Sequence, residues 1–238
     1  MNSLIALLTL LPALDWVAVA LFFGGWTAYA MFARRRAGVA PSILATTNRW
    51  RWHWMLQTTW RDNRIVDSAV LQSLSASPAF FASTTILIIG GLLAVLGTTE
   101  KASEFVREIP FAARTSTLVF DLKVGLLAAI FIYAFFRFTW SIRQYSFGAI
   151  LVAAAPDATQ FRDDEAARVA FADRAGRVMG LAAETFNDGL RAYYMAFAAL
   201  AWFFSAWAFI AATALVLWIL YRREFHSEVL VALREGLQ

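Results

Sequence analysis

The chain has 238 residues, of which 60% are hydrophobic and only 16% charged, with a mean hydropathy of +0.58. A water-soluble domain carries about 25% charged residues, so this balance excludes an ordinary soluble fold and points to a membrane. There is no cysteine and there are only two histidines, His53 and His226, which excludes disulfide and thiolate chemistry and argues against a bis-histidine haem or a histidine-built zinc site.

The first apolar run is broken by Pro12, and Ala13 to Ala33 is then long enough to cross a bilayer. Arg34, Arg35 and Arg36 follow it, and no positive charge precedes it. That order predicts a periplasmic N-terminus and cytoplasmic arginines. Gly24 and Ala28 form a small-xxx-small pair suited to close helix packing. Asp15 falls in the outer part of this span.

Residues 34–78 read as a cytoplasmic segment rich in arginine. Pro41 and Ser42 mark a break, and Thr47 or Asn48 is a candidate helix cap. The run RWRWHWMLQTTWRDNR interleaves Arg and Trp, as an interfacial helix on anionic lipid does. The run ends with Arg61 and Arg64, and Asp67 follows, with Arg64 and Asp67 at helical spacing for a pair. Aromatic and basic residues together also suit single-stranded nucleic acid, but the membrane accounts for both residue types, so no nucleic acid is expected.

Pro78 is expected to open the second span, 79–97, with Gly90 and Ala94 as another small-residue face. A mixed-charge outer loop follows, with a short surface helix before Pro110. The third span, 118–140, is LVFDLKVGLLAAIFIYAFFRFTW. Asp121 and Lys123 stand at its outer end and Arg137 at its inner end, where long side chains snorkel. Because Asp15 and Lys123 share the outer half, they are expected to pair across the first and third helices. With Asp121 they make an intramembrane charge cluster. Such charges are costly in hydrocarbon and are candidate functional groups.

Residues 141–191 read as a second cytoplasmic segment. SIRQYSFGAILVAAA extends the third helix past the membrane, up to Pro156. Asp163, Asp164 and Glu165 open a new helix at its positive end. Phe171, Ala175, Val178, Ala182 and Thr185 recur as an amphipathic stripe, suited to a neighbouring helix or a second chain. The last span is expected over 192–221. Most of the 21 basic residues then fall inside, giving four spans with both termini outside. Arg222 and Arg223 resist that arrangement. A fifth crossing at Ser146–Ala155 would restore it, but the stretch is too short.

The expectation is therefore an all-α, integral membrane four-helix bundle with amphipathic cytoplasmic helices, one membrane domain over 1–238 in the inner (plasma) membrane. An inner-face cluster of Arg61, Arg64, Asp67, Arg137, Arg143 and Arg191 suits a structural network or an anion or lipid headgroup. No catalytic, metal or cofactor motif is present. The expected partners are the bilayer, anionic headgroups, further copies of the chain or other membrane proteins.

Several segments carry a family resemblance: RDNRIVDSAVLQSL (Arg61–Leu74), SPAFFAST (Ser77–Thr84), AFFRFTWSIRQY (Ala134–Tyr145), GLRAYY (Gly189–Tyr194) and LYRREFHS (Leu220–Ser227). Over Leu14–Ser227 the chain resembles the bacterial membrane proteins catalogued as the domain of unknown function 599 family. Where that family reads Glu-Leu-Lys at the outer end of the third span, this chain has Asp121-Leu122-Lys123. The resemblance implies a multi-pass membrane protein and supplies no activity. A non-enzymatic scaffold or accessory subunit is the leading expectation. An oligomeric channel or small-solute transporter is the alternative, and a lipid-headgroup-binding or lipid-modifying protein the second. The absence of discontinuous helices in the hydropathy pattern counts against a transporter.

Overall fold

The computed structural model describes residues 11–37, 41–99, 116–162 and 164–235. The apolar residues before Leu11, the surface helix expected before Pro110 and Asp163 lie outside them. The described chain is 89% helical, without strands. In order it runs α1 (Ala13–Ala37), α2 (Ile43–Thr58), α3 (Ile65–Gly97), α4 (Thr117–Ala153), α5 (Ala158–Phe161), α6 (Glu165–Leu200), a 3-10 turn (Ala201–Phe203), α7 (Ala206–Phe225) and α8 (Glu228–Glu235). Four stretches are long and apolar enough to cross a membrane: α1, α3, α4 and Ala206–Glu235, which begins with α7. The protein is an all-α bundle of the membrane class.

Two elements differ from their expected bounds. The helix that carries the second span does not start at Pro78; α3 begins at Ile65 and holds Pro78 inside it. Asn63 accepts from the Ile65 N–H at 2.9 Å and starts the helix, while a proline within an apolar helix is tolerated when its surroundings satisfy the freed carbonyl. The stretch 192–221 is not one helix. α6 ends at Leu200, the chain tightens through 201–203, and α7 starts afresh at Ala206. Ser205 caps α7, its Oγ accepting from the Ala208 N–H at 3.0 Å and its carbonyl from Phe209 at 3.1 Å.

The chain forms two compact units. The first takes residues up to Arg36, Thr85–Tyr133 and Arg191–Arg223. It thus holds five helical legs: α1, the end of α3, the start of α4, the end of α6, and α7. One tier of contacts gathers Tyr29 under Arg191, Trp26 against Tyr133, and Phe131 against Tyr193. Thr85 and Tyr193 share a hydrogen bond of 2.7 Å, Arg223 donates to the Tyr194 hydroxyl at 2.7 Å, and Phe32 meets Tyr221. The opposite tier holds Asp15, Thr99, Asp121, Lys123 and Trp202.

α7 therefore runs alongside α1 in the same direction. Phe209 packs on Phe22 at one level and Tyr221 on Phe32 at the other, with Leu217 against Gly25 between them. The end of α6 and α7 form a hairpin whose bend is residues 201–205, because Tyr194 before the bend meets Arg223 after it. A reversal inside 192–221 replaces the single crossing expected there. Gly24 and Gly90, expected at close-packing faces, have open space where a Cβ would lie, and it is Gly25 that is crowded.

The second unit takes Ala37–Thr84, Ala134–Leu190 and the chain from Glu224 on. Its core is Met55, Leu71, Tyr145, Val152, Phe161, Phe171, Ala175, Met179 and Ala182, all buried. The stripe read from the α6 sequence supplies three of these, Phe171, Ala175 and Ala182; Thr185 is buried as well, and Val178 sits at the edge, half-buried. α4 continues without a break to Ala153 as expected and stops before Pro156. Asp164 caps α6, accepting from the Ala167 N–H at 2.8 Å. Ser42, not Thr47 or Asn48, caps α2; Thr47 lies within the helix and bonds back to the Ile43 carbonyl. A Cβ on Gly176 would lie 3.0 Å from the Trp52 Cα, and one on Gly180 would lie 3.0 Å from Asn48. Gly176 lets α2 approach α6 backbone to backbone, and Gly180 leaves room for the Asn48 side chain. α8 returns to α2, where the Trp50 indole donates to the Leu233 carbonyl at 2.9 Å and the Leu44 N–H to Glu224 at 3.1 Å.

Candidate functional site: a lysine at a broken helix

The break after α6 leaves the Trp202 carbonyl at a helix end, where main-chain oxygens lose their intrahelical donors and carry partial negative charge. Lys123, on the first turns of α4, fills that position. Its Nζ donates to the Trp202 oxygen at 2.8 Å and lies 5.3 Å from the Trp202 ring and 5.8 Å from the Phe203 ring. The Trp202 indole N–H in turn donates to Asp15. Lys123 is 3% exposed and Trp202 1%. Phe209 stacks on Trp202 at 5.3 Å, and Phe22 packs behind Phe209.

The balance of terms explains why an ammonium survives in this place. A lysine within hydrocarbon costs about 3 kcal/mol on insertion scales. A hydrogen bond to a charged donor returns roughly 1.5–3 kcal/mol, and a desolvated cation–π contact about 2 kcal/mol. The three interactions offset the cost without a direct carboxylate.

The expected direct pair is accordingly replaced by a relay. Asp15 and Lys123 meet through opposite ends of Trp202, the carboxylate on the indole N–H and the ammonium on the carbonyl. Asp121 is not drawn in. It accepts from the Thr99 hydroxyl at 2.7 Å, tying the end of α3 to the start of α4. Residues two apart on a helix point to different sides, which is why Asp121 and Lys123 part company. Trp202 itself is legible in sequence only through Ser205, a polar capping residue in an otherwise apolar run.

The arginines expected to form one inner-face cluster fall into separate arrangements. In the second unit Asp67 is fully buried, and its Oδ1 accepts from Trp54 Nε1 at 2.7 Å, Thr58 Oγ1 at 3.3 Å and Arg61 at 2.6 Å. Arg64 does not pair with Asp67; it donates to the carbonyls of Ala155 and Pro156, beyond the end of α4. Arg137 pairs with the buried Asp188. Arg143 lies over Phe147 of its own helix. Arg191 belongs to the first unit and lies over Tyr29. Arg168, unmarked in the sequence, is buried, donates to the Phe161 carbonyl at 2.7 Å and stacks 3.3 Å from the Trp60 ring centre. Burial pushes the Arg51 guanidinium below its usual range, with Tyr145 partly opposing; it donates to Thr47 and Asn48.

Two concavities accompany these groups. A cleft of about 270 Å³ between α2 and α6 is lined by Asn48, Trp52, Asp173, Arg177 and Glu184 over the bare Gly176–Gly180 floor. Asp173 holds the Trp52 indole at 2.7 Å. An apolar groove of about 350 Å³ lies between α1 and α4, walled by Phe23, Trp26, Leu126, Ile130 and Tyr133. Among the described residues no three His, Asp or Glu side chains converge as a metal site requires.

A family model described as "Protein of unknown function, DUF599" matches residues 17–229. No curated protein and no solved structure matches the chain. The chain belongs to the DUF599 family.

Proposed function

We propose that this DUF599 chain is an ion-coupled carrier of small solutes in the bacterial inner membrane, with a periplasmic N-terminus and a cytoplasmic second unit. One observation carries the reading: the Lys123 ammonium closes the carbonyl end of a broken helix, shielded from water, with Asp15 on the same tryptophan. Helix carbonyl ends that hold a cation are a recurring device of secondary transporters; here that end lies at the turn of the α6–α7 hairpin, and ionisable groups at membrane depth mark ion and proton routes. The bend at 201–205 joins two antiparallel helices and does not interrupt a single span, so the carrier reading stands on the Lys123 site alone.

The hairpin supports the orientation. Five legs put the start of α1 at the Asp15 tier and the end of α7 at the other. All 21 basic residues except Lys101, Arg107, Arg114 and Lys123 then belong at or beyond the cytoplasmic tier, Arg222 and Arg223 included, as the positive-inside rule asks. Arg34–Arg36 meet anionic headgroups there. A headgroup site built on the inner arginines is less well supported, since Arg61, Arg64 and Arg137 are engaged by the protein itself. A docking role, as scaffold or accessory subunit, draws its support from the open cleft of the second unit.

The test is flux in proteoliposomes. Wild-type protein dissipates an imposed pH gradient faster than protein-free vesicles, and Lys123→Met lowers that rate at least tenfold. Equal rates for wild type, variant and empty vesicles refute the carrier reading and leave the docking role.

A further inference from the structure

The identity of the coupled species is written in what already occupies the site. The geometry points to the bend after α6 being a binding site for small ammonium cations, ammonia's conjugate acid or a primary alkylammonium, filled at rest by Lys123; this rests on the carrier reading and names its solute class. Three features select that chemistry. The position offers one main-chain oxygen, from Trp202, and two aromatic faces. Hard cations such as calcium and magnesium need six or more oxygen ligands, which this place does not supply. An –NH3+ group has three donors and no acceptor; it gives one to the carbonyl and presents the others to the rings, where cations are held by the ring quadrupole.

Size and access follow from the neighbours. Trp202, Phe209 and Phe22 are buried and form a wall, so a bulky quaternary ammonium does not fit behind the indole. Asp15 is only half-buried, and its carboxylate on the indole N–H gives an arriving cation a first attraction from the side where the bend is exposed at Phe204 and Ser205. An incoming ammonium takes the place of the Lys123 ammonium on the Trp202 carbonyl, and the tethered lysine swings toward the exposed side of the bend at Phe204 and Ser205; the bound cation adds one positive charge beside the Asp15 carboxylate.

Removing the tethered occupant exposes the site for a direct test. Full-length protein is purified in detergent as wild type, as Lys123→Ala, which opens the space, and as Lys123→Met, which fills it without charge. Thermal unfolding is followed with methylammonium, tetramethylammonium or sodium chloride at equal ionic strength. Saturating methylammonium raises the Tm of Lys123→Ala by about 5 °C, as expected for a ligand near 100 times its Kd; tetramethylammonium and sodium do not, and Lys123→Met does not respond. No methylammonium shift in Lys123→Ala, or equal shifts with all three salts, overturns the proposal. Where Lys123→Ala fails to accumulate, its membrane yield in cells grown with methylammonium is the readout, and no recovery overturns the proposal equally. Rescue without flux in vesicles refutes the carrier but leaves the ammonium site; flux without rescue does the reverse.

Discussion

Asp67 is the hub on which the turn between α2 and α3 depends, and Asp67→Ala tests that dependence. The substitution removes an acceptor that is 0% exposed and strands three donors. The Trp54 indole, at 2.7 Å, is the strongest neutral one, and a hydrogen bond to a charged acceptor contributes about 1.5–3 kcal/mol. Thr58, at 3.3 Å, adds under about 1 kcal/mol. The Arg61 side chain is 43% exposed, so it rehydrates on losing its partner, and the pair contributes below about 1 kcal/mol. The expected loss is about 3 kcal/mol. Asp67→Asn keeps an oxygen for Trp54 and costs about half of that, while Arg61→Ala costs less than about 1 kcal/mol. Unfolding in mixed micelles, titrated with an anionic detergent and followed by tryptophan fluorescence, gives the three values. An Asp67→Ala loss within about 0.5 kcal/mol of zero, or Arg61→Ala equalling it, refutes the assignment of Asp67 as a buried hub.

The native chain has no cysteine, so single cysteines report topology cleanly. A membrane-impermeant maleimide labels Ser205→Cys in intact cells and Ser227→Cys only after permeabilisation; labelling of Ser227→Cys in intact cells sinks the hairpin orientation. Arg137→Ala takes the ion-pair partner at Arg137 from the buried Asp188 carboxylate and costs about 1.5–3 kcal/mol, whereas Arg143→Ala, which loses its contact with Phe147 of its own helix, stays within about 0.5 kcal/mol; the same micelle titration separates them. Gly176→Ala forces the Trp52 backbone away and costs about 1–3 kcal/mol. Gly148→Ala meets only the flexible end of Met179 and costs less, so equal losses would refute the backbone-contact argument.

The apolar runs and their flanking charges made the helical class and the four long apolar stretches readable. Hydropathy sums over a window and carries no sign of direction, so it reads Ala201–Phe204 as membrane and misses that the chain turns round there. Arg222 and Arg223, which did not fit a periplasmic end, were the visible trace of that turn. Helix phase was beyond reach as well. Gly24 and Gly25 differ by about 100° around the axis, and only the structure decides which one meets Leu217. The Arg64–Asp67 pairing failed because the i, i+3 rule assumes both residues are helical; Arg64 precedes the first turn of α3, which frees it for the Ala155 and Pro156 carbonyls. Asp15 and Lys123 stand out in the sequence as charges within apolar runs, but the tryptophan between them carries no marker that a charge count detects.

The atom that receives the Lys123 proton donor belongs to the main chain. Exchanging the side chain at position 202 therefore alters the walls of the site and leaves its acceptor in place. Only a change that knits residues 201–205 into continuous helix would withdraw that oxygen. The trait to look for in related chains is accordingly a turn at this point between the two helices with an aromatic N–H donor beside it, since the ring and the Asp15 bond complete the site.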